Sequence, residues 1–168
     1  YFDFDRCVLH YLFNNKRQQQ NASRCGIDNI KAELYPEWHC EEERHDKLSS
    51  WAYRIVQGCD EVYLEGYAFA TAAQAGVRSI AENTGLLKHK MWKNKVPFKS
   101  FPPTVIKKFA TGKGNANKEV MYEAFVGELL TPTDLKERLT PTATKIKNPI
   151  SDIVDAYFIA KCGVEGVM

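Results

Sequence analysis

From Glu41 to Gln57 the residues Leu48, Trp51, Ala52, Ile55 and Val56 recur at i, i+3, i+4, i+7 and i+8. That is the stripe of an amphipathic helix, which must lie against another element. Glu41, Glu42 and Glu43 suit its positive end, and Gly58 is placed to close it. A strand follows at once: across Asp60–Glu65, Val62 and Leu64 alternate with Tyr63 and Glu65. A helix handed directly to a strand restricts the chain to a sheet covered by helices, an α/β or α+β architecture. The 168 residues suffice for one such domain, spanning 1–168. An apolar content of 44% excludes a disordered tail and a scaffold that needs staples to fold.

The same reading extends to both sides of this step. Arg6–Phe13 is a strand rich in β-formers, Ile27–Tyr35 is a second strand paired to it, and Asn14–Asn21 is a polar turn. Ala73–Trp92 is a helix with Val77, Ile80, Ala81, Thr84, Leu87 and Met91 on one face, and Val96–Phe101 is a strand ended by Pro102-Pro103. Thr104–Ala110 is a short helix stopped at Gly112, and Lys118–Leu130 is another helix. Thr131–Asn148 is a loop around a turn at Asp134–Leu139. Ser151 then serves as N-cap of a last helix running to Cys162 and ended by Gly163.

The formal charge of +2 conceals a strong segregation. Between Leu86 and Lys118 stand nine lysines and no acid, so the remainder carries 14 Lys and Arg against 21 Asp and Glu. A stretch of this kind predicts a cationic surface for a polyanion, the alternative being a solvated lysine face. Five cysteines without a CxxC pair support neither a disulfide framework nor a zinc site of that type, and predict reduced thiols. His39, Cys40 and His45 read as bystanders near a helix start. No apolar run reaches the roughly 18–20 residues of a membrane span, and the opening residues lack the pattern of a secretory signal. The expected location is cytoplasmic.

Three segments carry residues suited to chemistry. Glu65 ends a strand before Gly66, where a sheet gives way to a loop. Asp152 and Asp155, at i and i+3, share one face of a helix whose next residues, Ala156–Ala160, are almost wholly apolar. Two carboxylates on a buried helix require a cationic neighbour, and a hard divalent ion with oxygen ligands is the economical one. Phe109–Glu119, reading FATGKGNANKE, sets two glycines around Lys113 ahead of a helix start. That is a backbone cradle for phosphate without the spacing of a nucleotide P-loop, and its lysine-rich setting favours a nucleic-acid backbone.

Taken in order, Tyr63–Phe69, Phe109–Glu119 and Asp152–Ala156 resemble the RuvC-type Holliday junction resolvases, most closely their phage and virus-encoded branch. The likeness spans roughly Glu41 to Gly163, with Phe109–Glu119 its most specific part. The resemblance implies an α/β, RNase H-like fold, a mixed five-stranded sheet flanked by helices. It also implies a homodimer, paired through the Ala73–Trp92 helix, that cuts four-way and other branched DNA symmetrically with Mg²⁺ or Mn²⁺, two ions per active site. By position Glu65, Asp152 and Asp155 match the second, third and fourth acids that hold the metal. Lys118 matches a catalytic lysine, and Lys107, Lys108, Lys113, Asn115 and Lys118 are the expected DNA contacts. The first acid is matched by none of Asp3, Asp5 and Asp28, so it and its strand are expected upstream of Tyr1. A non-catalytic module that binds branched DNA on the same fold is the alternative, and a nuclease for RNA–DNA hybrids shares fold and metals.

Overall fold

A computed structural model of the chain describes residues 1–3, 6, 8–13, 16, 19, 20, 22, 30–67, 75–128 and 135–166, with backbone alone at 75–77. The chain forms two compact units, Tyr1–Tyr35 with Thr104–Met168, and Pro36–Pro103. The architecture is mixed α/β.

In the first unit β1 (Phe2–Asp3) runs antiparallel to β2 (Val8–Phe13), and β2 runs parallel to β3 (Ile30–Leu34), with Leu9 opposite Ile30 and Phe13 opposite Leu34. The intervening residues 14–29 are long enough for the crossover that a parallel pair demands. The alternation of β2 turns Leu9 and Phe13 inward, where both are buried. The helices of this unit are α3 (Pro103–Thr111), α4 (Lys118–Glu128), α5 (Leu135–Leu139) and α6 (Ile150–Val164); the labels α1 and α2 belong to the second unit. Helix α6 packs on β1, α4 and α5. Its Ile150, Val154, Phe158 and Cys162, each four residues on from the last, are almost completely excluded from solvent. Lys161 fastens this bundle: its ammonium lies 2.8 Å from Glu128 on α4 and 5.9 Å from the ring centre of Phe109 on α3.

In the second unit α1 (Glu41–Val56) leads into β4 (Val62–Glu65), then α2 (Ala75–Lys93) and β5 (Phe98–Phe101), which lies parallel to β4 in a βαβ arrangement. Leu48, Ala52 and Val56 of α1, Leu87 and Met91 of α2, and Val62 and Leu64 of β4 are buried. Helices α1 and α2 pack on one another, and polar ties join them. Arg44 donates to the Ser79 hydroxyl at 2.6 Å, and the Lys90 ammonium lies 2.9 Å from Asp46 and 2.6 Å from Ser50.

The five strands therefore stand in two sheets, three in one unit and two in the other, rather than in a single five-stranded sheet among the described residues. Helix α6 also departs from expectation. It begins two residues earlier, at Ile150, with Pro149 at the N-cap after a cis Asn148–Pro149 bond, and ends at Val164. Ser151 is not the cap: it sits inside the helix, 4% exposed, and its hydroxyl serves another purpose. The Asp134 end of the anticipated turn, Gln18, Asp5 and Asp28 lie outside the described residues.

After α3 the chain turns at Gly112, whose φ of +75° is a left-handed conformation that side chains resist. Its N–H donates to the Lys108 carbonyl at 2.8 Å, closing the helix. Gly112→Ala should lower stability by about 1 kcal/mol, read as a shift in the denaturant midpoint. An unchanged midpoint would mean that this turn adopts another backbone path.

Candidate functional site

The first unit assembles its chemistry at the start of α6. The deeply buried stripe fixes the azimuth of the helix, which leaves Asp152 and Asp155 half-buried at its edge. Asp152 is held from the sheet, where the Tyr11 hydroxyl on β2 donates to its Oδ2 at 2.6 Å. Burial first and this bond second push the Tyr11 phenol far above its usual range, so it is a fixed donor. One oxygen of Asp152 is thereby oriented by a residue 141 positions away in the chain.

Asp155 carries the electrostatic tension of the site. Burial, then repulsion from Asp152, raises its carboxyl pKa above the ordinary value, while Lys118 and Lys107 act in the opposite direction. Lys118 is the first residue of α4, and its ammonium donates to the Ser151 hydroxyl at 3.2 Å. That hydroxyl donates in turn to Asn148 Oδ1 at 2.5 Å. The buried serine expected to cap the helix is thus a bracket that holds the lysine beside the acids.

The FATGKGNANKE segment forms the turn from α3 to α4. A Cβ on Gly114 would stand 3.2 Å from the Thr104 carbonyl oxygen, so the turn presses its backbone against the start of α3. Thr111 accepts from the Lys113 N–H at 3.2 Å, and Asn117 Oδ1 accepts from the Val120 N–H at 2.9 Å as the side-chain cap of α4. Lys108, Lys113 and Asn115 are exposed, and Lys107 is half-buried. The structure thus brings Asp152, Asp155, Lys118 and Lys107 together, and hangs Lys108, Lys113 and Asn115 on the same unit.

Glu65 belongs to the second unit. It ends β4 opposite Phe101, and the next N–H, from Gly66, donates to the Phe101 carbonyl at 2.7 Å. A Cβ on Gly66 would come within 3.2 Å of that oxygen, so glycine permits the close strand end that presents the exposed Glu65. Asp3, weighed as a first acid, pairs with Arg6 at 3.2 Å.

Two hard oxygen donors at one helix edge, already repelling one another, suit a divalent cation. Within their unit no third His, Cys, Asp or Glu side chain joins them in a metal-binding group among the described residues. Cys40, Cys59 and Cys162 are free thiols. No helix among the described residues is long and apolar enough to cross a membrane.

Sequence reasoning missed Tyr11 and Asn148, and assigned Ser151 the wrong role. Buried hydroxyls that satisfy a charged partner carry no local sequence signal.

No family model and no curated protein matches the chain. Among solved structures it is similar to Thermus thermophilus RuvC, with a TM-score of 0.49, 15% identity, and coverage of 74% of this chain and 72% of that one. It is also similar to T. thermophilus RuvC in complex with a Holliday junction substrate, with a TM-score of 0.47, 14% identity, and coverage of 76% and 73%.

Proposed function

We propose that this chain is a metal-dependent endonuclease for branched DNA, a Holliday junction resolvase of RuvC type built on an RNase H-like domain over residues 1–168. The observation that carries this reading is the Asp152–Asp155 pair, half-buried at one helix edge and balanced by Lys118 and Lys107. In a hydrolytic role Asp152 and Asp155 would hold Mg²⁺ or Mn²⁺, and the resembled motif gives Glu65 a metal-holding role as well. When bound, such ions supply a water nucleophile at neutral pH and Lewis-acid stabilisation of a phosphodiester.

The residues of the chain itself do the rest. Tyr11 fixes the rotamer of Asp152, so one carboxylate oxygen is committed and the other is left for a ligand. Ser151 and Asn148 hold the Lys118 ammonium, a preorganised positive charge for a phosphate on which negative charge develops. Lys107, Lys108, Lys113 and Asn115 meet the DNA backbone and fix its register without reading sequence. The chain acts as a homodimer, one copy for each of two symmetric cuts.

Cleavage of a synthetic four-way junction with Mg²⁺ or Mn²⁺, set against a linear duplex of the same sequence, tests this reading. Preferential paired nicks in the junction, abolished by EDTA, are expected. Equal cutting of both substrates would reject the resolvase assignment. Tight junction binding with no cutting would favour the non-catalytic module.

A further inference from the structure

Between Glu137 and Asp152 the chain carries Arg138, Lys145 and Lys147 and no acid. This stretch leads from α5 into the acid-bearing start of α6, and it is pinned along its length. Leu139 is buried at its beginning, Ile146 in its middle and Ile150 at its end. The Thr140 N–H donates to the Lys136 carbonyl at 2.8 Å, and the Ala143 N–H to the Thr140 carbonyl at 3.0 Å. Lys145 and Lys147, on either side of the buried Ile146, are both exposed.

Hydrogen bonds hold this loop beside the acid pair. The Lys147 carbonyl accepts from the Ser151 N–H at 3.2 Å, and Asn148 Oδ1 accepts from the Ser151 hydroxyl. That hydroxyl also receives the Lys118 ammonium, so the loop and Lys118 meet at Ser151, the residue before Asp152. The cations that act on Asp155 are Lys118 and Lys107. Lys145 and Lys147 stand outside that balance. No carboxylate lies in ion-pair range of either among the described residues.

Two carboxylates at one helix edge repel a phosphodiester backbone, so a strand reaches them only where neighbouring cations offset the repulsion. A lysine is a compact charge suited to backbone phosphate rather than to a base edge. We propose that the loop Thr140–Asn148 is a further phosphate-binding element of the site, with Lys145 and Lys147 taking backbone phosphates that flank the one at the acid pair. It deepens the function proposed above and rests on that reading for the class of ligand. Pinning at Leu139, Ile146 and Ile150 holds the loop backbone in place before DNA arrives.

The test is titration of the full chain with a labelled synthetic four-way junction in EDTA, followed by anisotropy over a series of salt concentrations. No bond is cut under these conditions, so a failure of the nuclease reading through absent cleavage leaves the result intact. Lys145→Gln with Lys147→Gln should reduce the slope of log affinity against log salt by about two. At 0.1 M salt the same change should weaken binding roughly tenfold to a hundredfold. Lys145→Arg with Lys147→Arg should restore both, because the charge returns. In the natural chain, bound junction should protect Lys145 and Lys147 from acetylation, read by mass spectrometry of the peptides. With Mg²⁺ present, the Gln pair should raise KM and keep kcat within about threefold, as expected for lost uniform binding. An unchanged salt slope with junction binding retained would overturn the proposal and leave the nuclease reading standing. Acetylation of both lysines at the same rate with and without junction would overturn it as well.

Discussion

Asp155→Asn should abolish junction cutting and, in the same molecule, raise the stability of the metal-free protein. The loss follows from removing one of the carboxylates that would hold the ion. Taking away one preorganised electrostatic contact from a hydrolytic centre costs about 10²- to 10³-fold in rate, and loss of the ion itself costs more. Binding of the junction should persist, because the lysines of the α3–α4 turn are untouched. Cutting that survives the change would show that the acids of α6 are not the catalytic set.

The gain in stability follows from the raised Asp155 pKa, whose largest cause is burial and whose second cause is Asp152. The folded state then holds that proton more tightly than the unfolded chain does. Its contribution to stability is present at low pH and is lost as pH rises through the folded pKa. At neutral pH the ionised carboxyl opposes folding, and Asn removes the charge at nearly constant volume. Thermal midpoints in EDTA should therefore favour the variant at pH 7 and converge at about pH 3, where an ordinary Asp is itself largely protonated. Added Mn²⁺ should reverse the order by stabilising the natural chain through linkage. A variant less stable than the natural chain at pH 7 would refute the electrostatic account of this site.

What the sequence revealed about the site was local. Asp152 and Asp155 stood out because i, i+3 spacing and an apolar continuation can be read within ten or so residues, and Glu65 because Gly66 follows a strand pattern. Lys118 was legible as part of the FATGKGNANKE segment. Tyr11 was not, since nothing in Val8–Phe13 distinguishes the tyrosine that meets Asp152 from a residue that merely suits a strand. Ser151 was misread for the related reason that a serine near a helix start ordinarily caps it, whereas here the hydroxyl turns inward to Lys118 and Asn148. Strand positions followed from alternation, yet the grouping of β1–β3 and β4–β5 into separate sheets depends on long-range pairing that alternation does not encode. Charge segregation was likewise only partly legible. Lys90 and Lys99 are neutralised by Asp46 and Glu61, acids that precede the lysine-rich stretch by many residues.

Phe158→Ala should destabilise the first unit by about 3–5 kcal/mol, the range for truncating a buried aromatic side chain. Phe158 is 0% exposed and stands one turn beyond Asp155. Its ring centre lies 5.2 Å from that of Tyr157, which also meets Phe2 at 5.5 Å and Phe125 at 5.1 Å, so one aromatic cluster ties α6 to β1 and α4. The cavity would open beneath the turn that carries the acids, against a total stability of about 5–15 kcal/mol for an ordinary domain. Helix α6 must be seated deeply for Asp155 to be desolvated. The variant should therefore show a lowered denaturant midpoint together with an Asp155 carboxyl titrating closer to its ordinary value, followed by NMR of the side-chain carbon. Phe158→Leu, which retains most of the volume, should restore the greater part of both. A loss below about 1 kcal/mol for the alanine variant would show that α6 does not form the core on which the site is built.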